Sequence, residues 1–168
     1  MIKVLPRNLL RFAVLVLVQV LILNNIQISG YLNPYVYVLF VLLLPFETPN
    51  WLLLVVAFLL GLSIDLFSQT PGIHAFATVF MAFFRPFILN VLSPRDGYGS
   101  GSYPRIYYYG FEWFFKYSLA LIFLHHFVLF FAEVFRLSGF FHTLLRVAAS
   151  TLFSTLIVVI SQYLVFRK

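Results

Sequence analysis

Apolar runs close to bilayer-spanning length follow one another along almost the whole chain, and this limits the fold more than any single motif. A crossing helix takes about 20 residues at roughly 1.5 Å each, so 168 residues hold at most about six crossings with short connections and no separate soluble domain. Only 10% of the residues are charged and 62% are apolar, whereas soluble domains carry about a quarter charged. That balance excludes a soluble enzyme, a disordered tail and a nucleic-acid-binding module, and the chain reads as an all-α integral membrane protein whose first partner is the lipid bilayer. The net charge of +6 arises from Lys and Arg at the ends of apolar runs. Such placement sets membrane orientation rather than making a nucleic-acid patch. With no cysteine, disulfides, thiolate metal sites, a cysteine nucleophile and lipid attachment through sulfur are all excluded.

The runs predict a bundle of six transmembrane helices over about 9–28, 31–46, 51–67, 73–92, 111–135 and 141–166. Lys3, Arg7 and Arg11 ahead of the first run also suit a signal peptide, but more spans follow and no small-x-small cleavage site stands out, so the segment reads as an anchor. The second and third runs are short, which calls for a locally thin hydrophobic slab or for ends buried in the bundle. Arg85-Pro86 lies inside the fourth run, where the missing donor and the ring clash predict a kink or break that opens a polar pocket. Residues 94–110, rich in glycine, proline and tyrosine, form the one long hydrophilic connection.

With the N-terminus inside, the cytoplasmic segments collect Lys3, Arg7, Arg11, Arg95, Arg105, Lys116, Arg167 and Lys168, against Arg136 and Arg146 outside. The bias puts both termini and the 94–110 loop in the cytoplasm of a multi-pass protein. Tyr31, Tyr35 and Tyr37, then Trp51, then Tyr107 to Tyr109 with Trp113, are expected at headgroup level. The tyrosine-rich stretch 97–109 is read chiefly as an interfacial loop, with contact to cytoskeletal partners as the alternative.

Motifs of soluble enzymes are missing. No Gly-rich phosphate loop or HExxH occurs, and Gly61-Leu62-Ser63-Ile64-Asp65 has Asp where a nucleophile elbow needs its second Gly. His125 and His126 are adjacent and should point about 100° apart on a helix, so no metal site is expected from them. Neither a catalytic group nor a cofactor is expected. The intramembrane ionisable residues Asp65, Arg85 and Glu133, with Glu47 near a boundary, stand out instead, because each needs compensation at bilayer depth. Asp65 and Arg85 should lie roughly 20 Å apart along the membrane normal. Arg136, Arg146 or His142 are the expected counter-charges for Asp65, and Glu133 can pair with Arg136 one turn on.

Ala57, Gly61 and Asp65 follow at four-residue spacing on one helix face, and Pro71-Gly72 then turns the chain into a helix that begins at His74. The small residues allow close helix contact with a polar handle at the rim, a face suited to a partner helix or a ligand. The segment GLSIDLFSQTPGIHA resembles the signature of the bacterial rod shape-determining protein MreD family. In that family Gly-x-x-x-Asp-Leu ends the third helix and Pro-x-Gly-x-x-Ala or Pro-Gly-x-x-Ala opens the fourth, and Gly61, Asp65, Leu66, Pro71, Gly72, His74 and Ala75 match in place. Length, span number and the basic N-terminal flank agree over the whole chain.

The resemblance implies a non-enzymatic subunit of the cell-elongation machinery in the bacterial cytoplasmic (inner) membrane. It would pair with the single-span protein MreC and support a peptidoglycan synthase complex under an actin-like cytoskeleton. It also implies a fold similar to the S component of energy-coupling-factor transporters, which makes a small-molecule-binding transport subunit the alternative. S components dock through an Ala-x-x-x-Ala face on their first helix. Here Ala13 is followed by Leu17, and the scaffold is favoured.

Overall fold

In a computed structural model the described residues are 4–25, 33–99, 101–135 and 139–164. They form helices α1 (Val4–Leu21), α2 (Leu39–Leu42), α3 (Asn50–Ser68), α4 (Ile73–Val91), α5 (Ile106–Val134) and α6 (Phe140–Leu164), with one 3-10 turn at Leu23–Asn25 and no strand among the described residues. Five of these helices are long and apolar enough to cross a membrane. The molecule is a multi-pass all-helical membrane protein.

The expected helix over 31–46 is corrected. Residues 31 and 32 lie outside the described residues, and from Asn33 the chain has no regular structure, turns at Tyr37-Val38, and makes only the four-residue α2. Pro34 and Pro45 bracket the run and limit the length of any helix between them. The run nevertheless follows the length of the bundle, because Tyr37 meets His74 near the start of α4 while the Leu44 carbonyl meets Arg85, 11 residues or about 16 Å further along. Every residue from Val36 to Leu44 is buried, so this irregular strand of chain is the centre of the core and the long helices surround it. Consecutive helices from α3 to α6 pack side by side, and α1, the least buried, leans on α3.

The other boundaries move less. α1 begins at Val4 and ends at Leu21, earlier at both ends than expected. α4 runs unbroken through Pro86. One helical turn begins at Ile106, Gly110 interrupts it at φ 81°, ψ 171°, and the continuous part of α5 starts at Phe111, the expected residue. The connection from 92 to 105 is folded back by aromatics: Tyr98 stacks on Phe46 at 4.2 Å and donates to the Leu89 carbonyl at 2.6 Å, and the Trp113 indole donates to the Leu92 carbonyl at 2.9 Å. Both bonds occupy carbonyls that the end of α4 would leave unpaired. Partial burial pushes the Tyr98 hydroxyl up to about 12, so it stays a donor at neutral pH.

Candidate functional site

The α3–α4 hairpin is built from the residues of the signature. Gln69 takes the left-handed conformation at φ 55° and ends α3, with its N–H on the Asp65 carbonyl, and Gly72 at φ 81° opens α4. A glycine at that N-cap offers no side-chain acceptor to the first turn. Asp65 supplies it from the neighbouring helix: one carboxylate oxygen accepts from His74 N at 3.0 Å and from the Thr70 hydroxyl, and the other accepts from Ala75 N at 2.8 Å. The positive end of the α4 dipole adds to this. The expected counter-charges are therefore corrected. Arg146 pairs with Glu133 at 3.0 Å, His142 is exposed, and Arg136 lies outside the described residues.

Two helices can be joined this tightly only where their backbones approach. A Cβ on Gly61 would come within 2.5 Å of the Ala75 Cα and of the His74 carbonyl oxygen, and Ala57, one turn earlier, is fully buried. The small-residue face is thus filled by the chain's own α4, which corrects the expectation of a partner groove there. Ser63 lies beside it with its hydroxyl on the Leu59 carbonyl at 2.8 Å.

Arg85 and Asp65 do not meet. Arg85 is 1% exposed, and among the described residues no carboxylate pairs with it. Its Nε donates to the Tyr117 hydroxyl at 2.8 Å, one terminal nitrogen donates to the Leu44 carbonyl, and the Tyr117 hydroxyl donates to the Leu42 carbonyl at 3.0 Å. At the other end of the same segment, the Gln19 amide nitrogen donates to the Pro34 carbonyl at 3.0 Å, and its oxygen accepts from Val36 N at 2.8 Å and Tyr37 N at 3.4 Å. Ser154 accepts from Tyr35 N at 3.0 Å and Ser150 from Asn33 N at 3.4 Å. Irregular backbone at membrane depth is tolerated only when other groups take its hydrogen bonds. Gln19, Arg85, Tyr117, Ser150 and Ser154, from four different helices, do so here. The polar pocket expected at Arg85-Pro86 is instead a packed and hydrogen-bonded core.

Tyr35 and Tyr37, expected at an interface, lie inside. The Tyr37 hydroxyl is within 3.1 Å of His74 Nδ1, 3.3 Å of Thr78 Oγ1 and 2.7 Å of His125 Nε2. His126 holds the Ile122 carbonyl at 2.8 Å and Ser154 at 3.2 Å. The His125 and His126 rings are 5.3 Å apart and both face Tyr35, closer in purpose than a simple helical wheel implies. Among the described residues, no group of three or more His, Asp or Glu is placed to hold a metal ion. This histidine and tyrosine network was missed from the sequence; the available signal was two adjacent histidines in mid-span.

A cavity of about 410 Å³ opens at the hairpin end, lined among the described residues by Gln19, Asn24, Asn33, Tyr35, Thr70, His74, Glu133 and Arg146 together with apolar neighbours. Glu47, at the opposite end, is exposed in the turn before α3. Comparison with protein-family profiles, curated proteins and solved structures returned no match to this chain.

Proposed function

We propose that this chain is a non-enzymatic scaffold subunit of a bacterial cell-elongation complex, of the MreD type. In this reading it sits in the cytoplasmic membrane with both termini inside and binds an MreC-like single-span protein. It thereby supports lateral peptidoglycan synthesis by a synthase complex under an actin-like cytoskeleton, and so rod shape. The bundle counts as six crossings similar to an S component, with the Val36–Leu44 segment serving as one of them.

The observation that carries the reading is the role of the signature residues. Gly61, Asp65, Gly72 and Ala75 each serve the α3–α4 hairpin through close approach, a cap or a left-handed turn. A signature devoted to shape suits a protein that works by presenting a surface. Because α4 fills the Gly61 face, the partner's helix packs on the outside of the bundle, where helix association depends on close fit. Affinity purification from native membranes in mild detergent tests this. Recovery of a single-span partner with cell-wall synthases supports it, and recovery of ATPases with a coupling subunit replaces it with the transport alternative, which the hairpin-end cavity favours.

A further inference from the structure

The cavity at the hairpin end has a composition that the scaffold reading does not use. Its volume of about 410 Å³ falls in the range of ordinary small-molecule pockets. Among the described residues its wall carries one cation, Arg146, and one anion, Glu133, beside neutral polar side chains such as Asn24 and Asn33. These two charges meet at 3.0 Å, Nη1 to Oε2. The guanidinium is held in place over the Phe130 ring at 4.2 Å, and its Nε is buried with no hydrogen-bond partner among the described residues.

The wall is further prepared by His74, which is 5% exposed. Its Nδ1 is tied to Tyr37, which in turn binds His125 Nε2. His125 Nδ1 is buried without a partner, and a bare ring nitrogen is tolerated there better than an orphaned N–H. That choice puts the His125 proton on Nε2, makes Tyr37 the donor to His74 Nδ1, and leaves the His74 proton on Nε2. His74 thus lines the cavity beside a cation and an anion with its ring held by Tyr37.

We propose that this cavity binds a small zwitterion, its anionic oxygens on Arg146 and its primary ammonium on Glu133. The same chemistry is presented by a free amino acid and by the headgroup of phosphatidylethanolamine. Calorimetry on the delipidated full chain in detergent separates them, with L-alanine as one probe and short-chain phosphatidylethanolamine as the other. L-alanine methyl ester and N-acetyl-L-alanine each lack one charge, and short-chain phosphatidylcholine lacks the N–H donors.

Binding of alanine identifies a free zwitterion, and binding of the ethanolamine lipid alone identifies the headgroup. In either case the one-charge or quaternary counterpart should bind at least about tenfold more weakly, as should Arg146→Gln and Glu133→Gln. The proposal is overturned if neither zwitterion binds at millimolar concentration, if the ester or the N-acetyl compound binds as well as alanine, or if phosphatidylcholine matches phosphatidylethanolamine. The ligand comparison uses the unaltered chain, so it decides the matter even where a variant fails to fold.

Discussion

Asp65 joins two helices rather than two charges. Replacing it by Ala leaves the N–H groups of His74 and Ala75 without their acceptor in a buried place, at about 1–3 kcal/mol for each. Asp65→Ala should therefore lower the detergent melting temperature clearly, and Asp65→Asn, which keeps one acceptor oxygen, should lie between. Gly61→Ala, a single added methyl, should already destabilise by about 1–3 kcal/mol, since it meets backbone rather than a movable side chain. A melting temperature equal to the parent would contradict the close approach at Ala75. The sequence made Asp65, Gly61 and Arg85 conspicuous, because spacing and hydropathy reveal face and depth. It misassigned the partners of Asp65 and Gly61 and named none for Arg85, because spacing is blind to the backbone groups that meet all three. Glu133 is met by Arg146 from α6, a pairing the sequence did not suggest, while its expected neighbour Arg136 lies outside the described residues.

At the scale of elements, the long helices were legible from their apolar runs, down to the start of the α5 span at Phe111. The segment from Asn33 to Phe46 was not. A run that is apolar on every side has no period to distinguish helix from extended chain. Clues lay outside the run: Gln19 in the last turn of α1, Arg85 inside α4, and prolines on both flanks. Gln19→Leu removes the acceptor of Val36 N and Tyr37 N together with the donor to Pro34 O. It should destabilise the fold by about 1–3 kcal/mol although it makes α1 more apolar. A stabilised Gln19→Leu protein, measured by thermal unfolding in detergent, would show that the amide is not holding the segment.

For the whole molecule, the long helices pack around a buried segment, 36–44, that makes several of its own backbone hydrogen bonds and takes others from side chains of α1, α4 and α5. The Lys and Arg distribution underlies the orientation proposed above, and a chain without cysteine is well suited to testing it. A single cysteine at Ser102 should react with an impermeant maleimide only in inverted membranes, and labelling of intact cells or spheroplasts would reverse the topology. The most direct test of the central claim is hydrogen–deuterium exchange over residues 33–46 in detergent. Polar side chains from the surrounding helices should protect this mostly non-helical segment as well as they protect α4. In Arg85→Met and Gln19→Leu the protection should fall there first, with α4 still closed. Exchange in the parent as fast as in the 92–105 connection, or protection unchanged in both variants, would contradict it.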